Sequence, residues 1–242
     1  MNQFEREKAM TLLPHQEANV LRIRFARSGS LSYVGHLDLM RTFERSLRRA
    51  QLPLLHSQGY NPRPMLVFAL PLGVGISTSD DYIDVSLSEE MDASDVISRL
   101  MPMLPEGLSI LDGWVVQKDG GSIMALVSAA SYCLRAPGIA DAVRKLFLMD
   151  EVIVEKKSKG QLRKLNIRPL LLEIIEDSPY QKDMCTVLVS AGSHENVRPD
   201  LLLLALTDYV GYPKADSINC MVERNGLFSG VFPELKHFKE LN

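Results

Sequence analysis

The sequence predicts an α+β protein built as two tandem βαββαβ halves, and three observations carry that expectation. Stretches that alternate apolar and polar residues interleave with stretches whose apolar residues recur every three or four positions, so strand and helix patterns follow one another. The order strand, helix, strand or hairpin, strand, helix, strand occurs once before residue 118 and again after residue 129. Between them, Asp119-Gly120-Gly121-Ser122 reads as a break. That order is the split, ferredoxin-like arrangement. The expected division is a tail over residues 1–17, a first unit over 18–118, a second over 129–226, and a tail over 227–242.

In the first unit, residues 19–27 alternate Val20, Arg22 and Arg24 on one side with Leu21, Ile23 and Phe25 on the other, the strand period. One face is core and the other carries arginines. Leu37, Met40, Phe43, Leu47 and Ala50 then recur at helical spacing, with Arg41, Arg45, Arg48 and Arg49 between them. The helix starts near Gly35 and His36, has Asp38 in its first turn where a carboxylate suits the positive end of the dipole, and stops at Pro53. Residues 52–56 and 65–70 read as strands, 81–87 as an alternating strand, 93–104 as an amphipathic helix and 108–116 as a strand holding Trp114.

The second unit repeats this order without repeating the sequence. Strands are expected over 131–136, 151–156, 170–176, 185–191 and 218–223, with helices over 139–149 and 198–210. The second helix has Pro199 in its first turn and Gly211 after its end, the usual asymmetry of helix termini.

Charge is distributed unevenly. The chain has a formal net charge of -3, yet residues 18–64 hold eight arginines against Asp38 and Glu44, a local excess of six positive charges. A basic segment in an acidic chain is a localised field, and arginine favours forked contacts to phosphate. After the helix and the short strand over 52–56, Ser57-Gln58-Gly59-Tyr60-Asn61-Pro62-Arg63-Pro64 excludes regular structure. Its amide, ring and guanidinium groups suit stacking on, or hydrogen bonding to, unpaired bases. A second basic run, Lys156, Lys157, Lys159, Arg163, Lys164 and Arg168 around Gly160, fits a hairpin able to lie along a phosphate backbone. The plainer readings are a solvated helix face, an ordinary turn and a solvated lysine-rich hairpin.

Signals for catalysis and metal are sparse. His36, near arginines that favour its neutral form, is the candidate general base towards a ribose 2′-hydroxyl; the competing role is a cap or hydrogen bond at the helix start. Asp80, Asp81 and Asp84 fall on both faces of one strand, so a metal centre is not expected. Cys133, Cys185 and Cys220 lack metal or redox spacing and read as core, which argues against disulfides. The loop Pro71-Leu72-Gly73-Val74-Gly75 lacks the lysine and hydroxyl of a phosphate-cradling loop. The charged N-terminus and the absence of a long apolar run point to a cytoplasmic protein without a membrane span. With no cluster-binding cysteine motif and no phosphate-cradling loop, no cofactor is expected.

Three segments carry a resemblance: His36-Leu37-Asp38-Leu39-Met40-Arg41, Ser57-Gln58-Gly59-Tyr60-Asn61-Pro62 and Pro71-Leu72-Gly73-Val74-Gly75. Weaker matches continue through Asn166-Ile167-Arg168-Pro169, Arg198-Pro199-Asp200 and Val222-Glu223-Arg224-Asn225-Gly226. On these residues the chain resembles the radical-SAM-linked or radical-SAM-associated proteins of the DUF2344 family. Gly35 stands where that pattern has serine, and Asn166 where it has aspartate. The resemblance implies a companion of a radical SAM protein in RNA modification or processing, because members are found fused to or encoded beside such enzymes. Paired ferredoxin-like halves with a basic, histidine-bearing first helix are also similar in topology to the repeat-associated RNA-processing proteins of CRISPR systems, although fold does not fix function.

The leading expectation is therefore a non-catalytic RNA-binding protein. Arg22, Arg24, Arg41, Arg45, Arg48, Arg49, Arg63, Lys164 and Arg168 would meet phosphates, with Ser57, Gln58, Tyr60 and Asn61 near bases. The alternatives are a metal-independent endoribonuclease using His36, and a protein-interaction module whose arginines meet an acidic partner.

Overall fold

The computed structural model describes residues 19–116, 121–158, 161–176, 181–192 and 195–241. It is a mixed α+β structure with one large sheet and, among the described residues, six α-helices. Strand β1 (Asn19–Arg27) leads into helix α1 (His36–Arg49), then β2 (Leu66–Phe68), β3 (Ile76–Leu87), α2 (Ala93–Leu100) and β4 (Leu108–Val116). After α3 (Ile123–Leu126) come β5 (Ala129–Arg135), α4 (Ile139–Phe147), the hairpin β6 (Ile153–Ser158) and β7 (Gln161–Asn166), β8 (Leu171–Glu176) and β9 (Met184–Ser190). The chain closes with α5 (Pro199–Val210), α6 (Lys214–Ile218), β10 (Met221–Val231) and β11 (Glu234–His237).

The sheet runs β4-β1-β3-β10-β5-β9-β8, with β2 also on β3 and β11 also on β10. Within each half, neighbouring strands are antiparallel. The two halves join where Ile76, Ser77 and Thr78 of β3 pair in parallel with Val222, Glu223 and Arg224 of β10. One core lies between β1, β3 and the helices α1 and α2, around Phe25, Phe43 and Val96; the other fills the second half and extends under Tyr82 of β3.

Several elements differ from expectation. The strand over 52–56 reduces to two bridges, Leu54 with Leu87 and His56 with Pro64. The helix over 93–104 ends at Leu100, and Pro102 sits in a short 3₁₀ turn. The buried face of α1 is Leu39, Phe43, Ser46 and Leu47, while Leu37 is exposed. Residues 227–242, read as a tail, instead carry the end of β10, then β11, and the fully buried Phe238. Phe238 covers Tyr82 at 5.3 Å between ring centroids, an apolar contact that fixes this end of the chain. The N-terminal tail, Lys159, Gly160, Asp119 and Gly120 lie outside the described residues. No helix among them is long and apolar enough to cross a membrane.

Candidate nucleic-acid interface

The arginines of β1 do not form an outer surface. Arg22 is 2% exposed and donates from Nε and Nη2 to both oxygens of Asp84, at 2.8 and 2.9 Å. Arg24 is half-buried and paired with Asp80, whose other oxygen lies 2.9 Å from His237 Nε2. Burial alone would raise the Asp80 carboxyl, but hydrogen bonds from His237 and Arg24 overcome it and hold it below the usual carboxylate range. The expected strand alternation is present, yet its arginine face is covered by the C-terminal segment and met by carboxylates of β3. Arg22 and Arg24 are thus structural, a correction with a plain cause: each is held by a carboxylate of β3, Asp84 or Asp80, on a face that His237 helps to close. Arg27 is fully buried too, donating to the carbonyls of Val34, Gly73 and Ile76.

Helix α1 behaves otherwise. Arg41, Arg45, Arg48 and Arg49 are all exposed. Arg41 pairs with Asp38 at 2.7 Å, and Arg49 reaches the carbonyl of Met103. Among the described residues no carboxylate pairs with Arg45 or Arg48. Arg45, Arg48 and Arg49 border a concavity of about 430 Å³ with Thr42, Ser46 and Pro105. Arg99 caps the end of α1 through the carbonyls of Ala50 and Gln51, so no cation of the helix itself is needed there.

The Ser57–Arg63 loop springs from the same end of the sheet. Leu54 bridges Leu87, Leu87 faces Asn19 at the start of β1, and Leu55 N donates to Ser86 O at 2.9 Å. The loop that follows α1 is therefore rooted at the end of β3. Ser57 closes the loop, its amide donating to Arg63 O at 2.8 Å and its hydroxyl accepting from Arg63 N at 3.1 Å. Gln58, Tyr60, Asn61 and Arg63 are exposed, and Tyr60 projects completely, at 101% relative exposure. It is not a packed turn tyrosine.

His36 is at the opposite end of α1. Its ring meets Phe68 edge-on at 5.1 Å, and its Nδ1 is buried without a hydrogen-bond partner among the described residues. Gly35 is the N-cap, so His36 does not cap the helix, and Asp38 is taken by Arg41. Burial, then the charge of Arg27, holds the imidazole below the usual histidine range and favours its neutral form. A rise of 1.5 Å per residue puts Arg45 to Arg49 roughly 14–20 Å along the axis from it, so they do not flank the imidazole.

In the second half, Lys164 and Arg163 are exposed on β7, in the expected hairpin. Arg168 is committed elsewhere: it donates to the carbonyls of Phe147, Met149 and Leu171 and lies over the Phe147 ring at 5.4 Å. It closes the end of α4 and is not a surface cation. Asn166 Oδ1 accepts from Val152 N and Arg168 N, which an uncharged amide serves well. No group of three or more metal-ligating side chains occurs among the described residues. Cys133 and Cys185 are buried, as expected, and Cys220 is half-buried with its thiol pushed up to about 11 by burial.

Sequence reasoning missed a second concavity, of about 370 Å³, where the Leu70–Val74 loop meets Tyr132 of β5 and the start of α5 at Asn196, Arg198 and Asp200. Its contributors are far apart in the chain. The only signal for them was that Pro71–Gly75, Arg198–Asp200 and the Arg224 segment all belong to motif-like runs.

Comparison with known proteins adds a family. No curated protein matches the chain. The family described as "Uncharacterized protein conserved in bacteria (DUF2344)" matches residues 20–199, well over half of the chain, and takes in β1 from its second residue, α1, the Tyr60 loop and the first residue of α5. The chain belongs to the DUF2344 family.

Proposed function

We propose that this protein binds RNA, gripping phosphates with the outer arginines of α1 and unpaired bases with the Tyr60 loop, as the RNA-holding companion of a radical SAM enzyme. One observation carries the reading: Arg45, Arg48 and Arg49 are exposed beside a concavity, with no carboxylate paired to Arg45 or Arg48 among the described residues. Charge left uncompensated on an exposed face is what counterion release from a phosphate backbone requires. The fully exposed ring of Tyr60 supplies a stacking platform in the loop that follows α1. The radical SAM partner follows from the resemblance of the motif segments.

The architecture behind this reading is a pair of ferredoxin-like units. Support comes from the strand order, fourth-first-third-second in each half: β4-β1-β3-β2 and β10-β5-β9-β8. In both, the two helices connect strands that are not neighbours. The β6-β7 hairpin is an insertion in the second unit.

The test is a titration of fluorescently labelled tRNA and total small RNA with the full chain at rising salt. Affinity should fall steeply with salt, and Arg45→Glu, Arg48→Glu and Arg49→Glu together should lower it at least about tenfold when measured below the melting transition. Binding that is absent, or indifferent to salt, would overturn the reading. Co-purification of a protein that survives nuclease treatment and depends on these arginines would favour an acidic protein partner instead.

A further inference from the structure

The second concavity stands against a buried charge imbalance. Arg27 and Arg224 are both fully buried, and among the described residues the one carboxylate within their cluster is Asp81, to which Arg224 donates. Arg22 and Arg24 are matched separately by Asp84 and Asp80. Carbonyls of Val34, Gly73 and Ile76 satisfy Arg27, and that of Leu70 helps satisfy Arg224, but dipoles do not cancel a charge. Nε and Nη1 of Arg224 and Nε of Arg27 have no hydrogen-bond partner among the described residues. The cluster keeps at least one positive charge, and two if Asp81 is protonated.

This charge lies directly behind the cavity wall. Leu70, whose carbonyl Arg224 holds, lines the cavity, and so does Tyr132, the residue opposite Arg224 in the β5–β10 register. At the mouth, Arg198 is exposed and donates to both oxygens of Asp200 at 2.9 and 2.6 Å. The 12-residue helix α5 starts there, with its positive end facing the same space. The floor is apolar, from Leu72, Ile76 and Pro71.

We propose that this cavity binds a small organic phosphate of nucleoside-monophosphate size, its phosphate between the Tyr132 wall and Arg198 and its body on the apolar floor. Positive potential comes from two sides, the buried cluster and the N-terminus of α5, and Arg198 adds guanidinium donors at the rim. A tetrahedral dianion presents oxygens in both directions, whereas a planar carboxylate presents them in one. The volume, about 370 Å³, is at the small end of the range for small-molecule sites and suits one nucleotide. Asp200 tempers the site: paired to Arg198, it lowers the positive charge that a ligand meets. This inference does not rest on RNA binding by α1, since it uses none of the same residues.

The experiment is isothermal titration of the full chain with adenosine 5′-monophosphate, adenosine, inorganic phosphate and a 5′-phosphorylated trinucleotide. The monophosphate should bind at least about tenfold more tightly than adenosine. Arg198→Ala should weaken it about fivefold or more, and Asp200→Asn should tighten it about two- to threefold, because these exposed groups change the rim charge in opposite directions. A trinucleotide that binds as well as the monophosphate would assign the ligand to an RNA end, and one that does not would assign it to a free nucleotide; both retain the site. No binding at millimolar monophosphate, adenosine binding equally well, or both variants moving affinity the same way would overturn it. The α1 triple glutamate variant should leave monophosphate affinity unchanged; if it abolishes binding, the cavity assignment also falls.

Discussion

The Arg22 guanidinium and the Asp84 carboxylate face each other across β1 and β3 in a two-bond fork, each nearly sealed from water. They are opposite residues in the strand register, so the backbone pairing fixes the side-chain pairing. Burying one such charge alone is far more costly than burying both. Asp84→Ala should therefore destabilise the protein by about 3–5 kcal/mol, whereas Arg22→Met with Asp84→Leu should stay within about 2 kcal/mol of the parent. Urea denaturation of the three proteins checks this. Equal losses for the single and double variants would mean that the pair is not an isolated buried unit.

Tyr60 makes a different kind of prediction, because nothing in the fold depends on its ring. Tyr60→Ala should leave thermal stability unchanged and weaken binding to single-stranded RNA by about 1–3 kcal/mol, the worth of one stacked base. The slope of affinity against salt should stay the same, since no phosphate contact is lost. A changed slope with unchanged affinity at low salt would assign Tyr60 no stacking role.

Arg168 and Lys164 were indistinguishable in sequence but occupy different settings. Arg168 satisfies three carbonyls around the end of α4 and packs on Phe147, so Arg168→Ala should cost about 2–3 kcal/mol of stability through charged hydrogen bonds. RNA affinity, measured below the melting transition, should hold. Lys164→Ala should do the reverse: no loss of stability, and a modest loss of affinity if the hairpin touches phosphate. Comparing melting curves with binding curves for both variants separates the two roles.

These contrasts show what the sequence could reveal. The period of the apolar residues located β4 to the residue and α5 to within one, because period reports burial directly. The same period placed Arg22 and Arg24 opposite Leu21 and Ile23 correctly but could not say that a second layer lies beyond them. That layer comes from Phe238 and His237, more than two hundred residues away, in a segment too short and mixed to show a pattern. Arg45 and Arg48 were readable as exposed because a helix on one face of a sheet buries only one stripe. The cavity at Tyr132 and Arg198 was unreadable for the opposite reason: it exists only where β3 and β10 pair and bring distant loops together.

His36 offers a test through pH. Burial first, and then the Arg27 charge, depresses the folded-state pKa of its imidazole, while in the unfolded chain it titrates near the ordinary value of about 6.5. Between those two values the unfolded state binds more protons than the folded state, so stability rises with pH across that window. The contribution is complete above about 6.5 and is lost as the solution is acidified towards the folded-state value. His36→Phe, which keeps an aromatic edge against Phe68 and cannot be protonated, should flatten this part of the profile relative to the parent. The difference between the two denaturation profiles over pH 5–7 isolates the residue, and identical profiles would mean that His36 is solvated in both states. The same variant bears on catalysis. With Arg45 to Arg49 far along the helix axis, His36→Phe should leave RNA affinity unchanged, and the parent protein should leave RNA intact in chelator; fragments ending in a 2′,3′-cyclic phosphate that vanish in the variant would restore the nuclease reading.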